Sequence, residues 1–247
     1  MVGSQTVAAF ALLSLFPLTS GDHHHSARHH HAEEYGSGGE FLNGGCWTDP
    51  LPYYTYAFDP EYAAGVSGEI KVQYAGPFST FAKISAKLDF SDVELSELTA
   101  FDGNCTSEVT EYKWHIHVKW PRDYGSESLK ECGLAVTGNH YDPLKACGPN
   151  SEFVGTEDCL LKTPEYNCSP KDYKKDPLVC EKGDLSGKFG ALKLNKKKKV
   201  KAKWYDANFP LPEETTPHFN IILHAVCGKA TPRVACAVVE MPPAICA

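Results

Sequence analysis

Four histidines carry the chemistry open to this sequence: His115 and His117 in WHIHV, His140 in GNHYDP and His224 in NIILHA. Neutral imidazole is a common ligand for borderline metals. The first two stand at i and i+2, a spacing that puts both side chains on one face of a strand. Ile116 and Val118 then face the core and the histidines face the other way. Two imidazoles from one strand and two from later segments make an all-nitrogen site, and nitrogen-rich sites of flattened geometry favour copper. A lone histidine in such places is more often structural than a ligand. Four of them, with one i, i+2 pair, reverse that expectation.

The elements that must position these residues read as short strands. Candidates are residues 53–58, 66–74, 81–90, 112–119, 193–194, 200–204, 220–225 and 233–240, several with apolar and polar residues alternating. No segment keeps an apolar stripe of helical length. Many short strands between turn signals imply an all-β sandwich or Greek-key barrel. Residues 121–183 break this pattern, with few strand signals and five cysteines. A long irregular loop in a compact domain is functional or disordered, and the cysteines argue against disorder. The expectation is a disulfide-stapled loop folded over one face of the barrel.

The chain of 247 residues begins with an apolar run, Val7–Leu18, too short to span a bilayer and suited to a secretory leader. No later segment is apolar enough to cross a membrane, so a secreted product with no membrane partner is expected. The ten cysteines fit an oxidising compartment. Asn104 and Asn167 begin glycosylation sequons, each with a cysteine in its middle position. A net charge of −7 argues against a nucleic-acid partner. The basic stretch Lys196–Lys203 reads as a solvated turn and one polar strand face, in preference to a polyanion patch. Oligomeric state has no signature here.

Six histidines fall within residues 23–31, followed by glycine and serine. Such a segment builds no core. The expected organisation is a leader over 1–20, a disordered histidine-rich metal-binding tail over 21–44 and a barrel domain over 45–247. The interruption Ser26-Ala27-Arg28 favours a natural metal-binding tract over an affinity tag. Cleavage after Ser20 or Gly21 leaves His23 or His24 third from the new amino terminus. The free amine, two amides and that imidazole can wrap copper in a square plane.

Taken in order, these motifs resemble the copper–zinc superoxide dismutase family. HIHV is similar to its HVHE-type copper strand, GNHYDP to its GPHFNP-type loop and GDLSGK (183–188) to its GDLGN turn. LHA is similar to its VVH strand and PRVACAVV (232–239) to its SRLACGVI end. The resemblance spans roughly residues 66–240 and implies an eight-stranded Greek-key barrel. It implies copper on His115, His117, His140 and His224, a Cys132–Cys236 disulfide tying the long loop to the last strand, and Arg233 above the metal holding anionic superoxide. Guanidinium suits that role because it is always charged and presents a forked donor.

The departures point to the copper-only, extracellular branch. No histidine lies between His140 and His218, Ala146 and Glu181 occupy the nearest places to two zinc ligands, and eight residues separate His224 from Arg233 where the family carries a long charged loop. A closed zinc site needs four good ligands, so zinc is expected to be absent. Glu181, and with it Asp184, is expected to orient His140 through its second nitrogen. His140 would then exchange a proton as superoxide is converted to O2 and H2O2. The alternative is a non-catalytic extracellular copper carrier or matrix protein on the same barrel, as in some secreted relatives.

Overall fold

Among the described residues nine strands follow one another: β1 (Tyr53–Phe58), β2 (Ser67–Tyr74), β3 (Ala82–Asp89), β4 (Glu111–His117), β5 (Ser126–Ser128), β6 (Leu192–Lys193), β7 (Lys199–Asp206), β8 (Asn220–Ala225) and β9 (Arg233–Glu240). This is a computed structural model in which residues 53–120, 125–214 and 219–240 are described. The expected leader, the histidine tail with His23 and His24, and the first residues of the expected domain lie outside them. Alternation builds the strands: in β2, Ile70, Val72 and Tyr74 are buried while Glu69, Lys71 and Gln73 are not. The expected strands appear with ends shifted by a residue or two. The short β5 was not expected, because its SES sequence has no apolar period; it is held by pairing with Ala235–Ala237 of β9.

The strand order is β6-β4-β8-β9-β1-β2-β3-β7, with β5 added on β9. All the pairings between these strands are antiparallel. The order begins at β6 and ends at β7, which are consecutive in the chain. Their turn is closed by Asn195 N–H donating to the Lys199 carbonyl at 3.0 Å and Lys198 N–H to the Asn195 carbonyl at 2.9 Å. The curled sheet is therefore a nearly closed eight-stranded barrel. Trp114 of β4 and Trp204 of β7 meet across the seam with ring centroids 4.8 Å apart. The connections from β3 to β4 and from β7 to β8 each skip two strands, which is the Greek-key feature.

The two halves of the barrel differ in cover. On β8, Ile221, Leu223 and Ala225 join the barrel core. Ile222 points the other way into a second cluster with Trp120, Cys132, Cys236 and Val238. Burial on both faces explains why NIIL and VACAVV are continuous apolar runs rather than alternating ones.

The cover is the irregular segment from Leu129 to Gly190, built of turns and short helices and stapled by Cys132–Cys236, Cys147–Cys159 and Cys168–Cys180. Cys105–Cys227 joins the end of β8 to the segment before β4. The cover is also latched to the end of β7. The fully buried Lys188 ammonium donates to Asp206 Oδ2, the Lys182 carbonyl and the Asn208 carbonyl, each at 2.9 Å. Tyr173 O–H donates to Asp206 Oδ1 at 2.5 Å.

Among the described residues, no helix is long and apolar enough to cross a membrane. The four disulfides among the described residues suit an oxidising, extracellular-type compartment.

Candidate metal centre

Strand β4 turns His115 and His117 away from the barrel core, under the stapled cover. In the β4–β8 register Lys113 faces His224 and His115 faces Ile222, so His224 lies diagonal to His115 on the same outer face. Each of His115, His117 and His224 offers a ring nitrogen, and these lie within 4.8 Å of one another. His140 comes from the cover. Its ring is stacked on His115 with centroids 4.2 Å apart and stands 4.9 Å from His117. The structure thus brings all four rings together, with three of them in the tight set.

Each ring has its second nitrogen engaged or faced by an acceptor. His117 Nδ1 donates to the Gly138 carbonyl at 2.8 Å. His224 Nδ1 lies 3.2 Å from the Thr231 carbonyl. His140 Nδ1 is 2.6 Å from Glu181 Oε2. His115 Nε2 faces Asp184 Oδ1 at 3.6 Å. What remains is a set of buried nitrogens without hydrogen-bond partners: His115 Nδ1, His117 Nε2 and His224 Nε2. A buried polar atom left unmade is costly, and outward ties of this kind are what orient imidazoles toward a metal. The donor set fits a metal ion.

Electrostatics agree with that fit. Burial pushes all four imidazoles below the ordinary histidine range, His140 to about 4 and His224 to about 3. They are therefore neutral near neutral pH, with lone pairs available. Burial likewise pushes Glu181 up to about 9, reinforced by the charges of Asp184 and Asp142. The short His140–Glu181 contact holds a proton between two groups whose charged forms burial disfavours.

Asp184 corrects part of the expectation. It makes its imidazole contact with His115 and acts on His140 only through its charge, because it caps the helix Leu185–Phe189, where its Oδ1 accepts from Gly187 N–H at 2.8 Å and its Oδ2 from Tyr166 O–H at 2.9 Å. The GDLSG turn has further local reasons. Gly183 passes so close to β4 that a side chain would strike the Ile116 carbonyl, and its own carbonyl accepts from Ile116 N–H at 2.9 Å. Ser186 Oγ accepts from Trp114 N–H at 2.7 Å. Ala146 does not reach the histidines through its side chain; its N–H donates to Asp142 Oδ1 at 2.8 Å.

Arg233, at the start of β9, is held by the cover. Its Nη1 donates to Thr137 Oγ1 at 2.7 Å, the Gly138 carbonyl at 3.1 Å and the Cys132 carbonyl at 3.3 Å. Gly138 has φ +72°, a conformation glycine adopts without strain, and its carbonyl serves both Arg233 and His117. A cavity of about 760 Å3 opens above these groups, lined by His115, His140, His224, Glu181, Arg233 and Lys113 among others. Sequence reasoning missed Lys113 and Tyr166. Lys113 had a signal, lying two residues before His115 and so on the same strand face. Tyr166 had none, since it sits in irregular chain. Asn104 and Asn167 are both exposed.

Compared with known proteins, the sequence matches no family model and no curated protein. Among solved structures, it aligns with Candida albicans superoxide dismutase 5 in a Cu(II) form at 19% identity, over 78% of this chain and 94% of that one, with a TM-score of 0.47. It also aligns with a glutamate-to-alanine mutant of the same protein at 19% identity, over 78% and 90% of the two chains, with a TM-score of 0.45.

Proposed function

We propose that this chain is a secreted superoxide dismutase that works at a mononuclear copper held by His115, His117, His224 and His140. The observation that supports it most is the convergence of three buried, unpartnered imidazole nitrogens, those of His115, His117 and His224, below a cavity that His115, His224 and the Arg233 guanidinium line. An all-nitrogen donor set suits copper. Around His140, Glu181 meets the ring through Oε2, Asp184 is held by Gly187 and Tyr166, and Ala146 offers no ligand, so a closed zinc site is not part of the proposal.

Copper bound there supplies one-electron chemistry, oxidising one superoxide to O2 and reducing a second that leaves with two protons as H2O2. The protein's residues do the rest. Arg233 and Lys113 draw a small anion into the cavity, and Arg233, fixed by three acceptors of the cover, orients it. Glu181 holds the His140 ring and the proton at its Nδ1. The leader and disulfides support secretion, the exposed Asn104 and Asn167 are proposed glycan sites, and His23 and His24 are proposed to collect copper in the tail.

The test is to load the mature protein with copper, count metals per chain and measure superoxide loss beside Arg233→Ala. The variant should keep its copper and lose about a hundredfold to a thousandfold in rate, the scale of removing one preorganised donor. Tight copper with no superoxide loss would overturn the enzyme and leave a copper carrier.

A further inference from the structure

The outer face of β2, β3 and β7 carries a second chemistry, on the half of the barrel without cover. It presents Lys71 from β2, Lys83 and Lys87 from β3, and Lys199, Lys201 and Lys203 from β7. Register brings them together: Lys87 is opposite Lys201, and Ser85 lies between Lys71 and Lys203. The exposed turn 196–198 adds three more lysines at one end. The acids of this face are Glu69, paired with Lys71 at 3.1 Å, and Asp89, paired with Lys199. Nine lysines against two acids make a local net charge of +7 in a chain of net −7, which leaves −14 on all the rest.

Edge protection does not account for this. Lysines on an edge strand discourage pairing between chains, and β7 ends the strand order. Lys71, Lys83 and Lys87, however, stand on β2 and β3, which are paired on both sides. Lys87 stands between Glu69 of β2 and Lys201 of β7, and the like charge on the β7 side costs stability. A bound counter-anion would relieve that cost.

We propose that this face binds a sulfated polysaccharide. The cations form a ladder, about 7 Å apart along each strand and about 5 Å between strands, open along its length like the track of an extended chain. All are lysines, compact point charges that suit sulfate esters. The arginine forks expected for phosphate recognition are missing from the face. Four disulfides place such a surface in the compartment where these polysaccharides occur. The acidic remainder of the chain repels a polyanion, so only this face admits one.

The experiment passes the full mature chain over immobilised heparin at a pH above the histidine range, where the histidines of the tail are uncharged and cannot hold the polyanion. The chain should be retained at low salt and released as salt rises. The variant Lys87→Ser/Lys201→Ser/Lys203→Ser should elute at clearly lower salt and bind at least about tenfold more weakly, with a melting temperature no lower than the unaltered chain's, because all three side chains are exposed and a like-charge pair is relieved. Passage of the unaltered chain in the wash, or elution of the variant together with it, overturns the proposal. So does equally firm retention on duplex DNA or on vesicles of anionic phospholipid, which would make the face a general anion surface.

Discussion

The two halves of this barrel handle charge in opposite ways. Around β4, β8 and β9 the stapled cover removes water, and the polar groups there are held by specific partners that leave three imidazole nitrogens pointing at one another. Histidine, glutamate and lysine all leave their ordinary titration ranges on that side. On β2, β3 and β7 the outer face stays wet, and like charges sit side by side. The lesson is that cover decides what a charged residue can be used for. Under it, a few groups are fixed for short-range chemistry. In the open, many loosely placed groups act through their summed field.

The contrast can be broken most severely at Lys188. Lys188→Met leaves Asp206 buried without its cation, and thermal or denaturant unfolding should show a loss of about 3–5 kcal/mol. The next effect is at the metal centre. A metal that binds only the folded chain at a thousandfold above its Kd adds about 4 kcal/mol, so adding copper should raise the melting temperature and a strong chelator should reverse the rise. A His117→Ala protein should show almost none of it. Glu181→Ala unties His140 and should weaken copper binding about 10–100-fold, read by competition with a coloured chelator.

On the open half the effects should be small. Lys201→Ala should change stability by no more than about 0.5 kcal/mol. Asp89 is held down to about 2 by its hydrogen bonds to Lys199 and Ser91. Its folded value lies below its unfolded one, so its contribution is complete above the ordinary carboxylate range and is lost as pH falls toward 2. Asp89→Asn should remove that acid-range difference, which solvent screening keeps below about 0.5 kcal/mol. A large effect at either residue would mean that the open face is not as wet as its exposure indicates.

Much of the covered half is legible in the sequence, because its signals are local. His115-Ile116-His117 states a strand face, and five cysteines in irregular chain state a stapled cover. The second partners of the histidines are less visible. Two are backbone carbonyls, of Gly138 and Thr231, which any residue type could supply. Asp184 was expected at His140 because sequence spacing says nothing of the helix cap that turns it toward His115. Lys188 reads as an ordinary polar residue of a short helix; only the fold encloses it. The lysine face is invisible for a different reason. Lys71, Lys87 and Lys203 are far apart in the chain, and strand register alone makes them neighbours, so the basic stretch 196–203 looks by itself like a solvated strand.

The latch formed by Lys188, Asp206 and Tyr173 ties the cover over the histidines to the far end of β7. A segment held by an enclosed ammonium cannot fray residue by residue, since opening any part strands the charge. Residues 170–189 and 206–209 should therefore exchange their amide hydrogens as one cooperative unit. The roof of the cavity would then open as one plate, when this latch and the ties of Gly183 and Ser186 to β4 let go together, and solvent would reach the histidines from that side only in those rare moments.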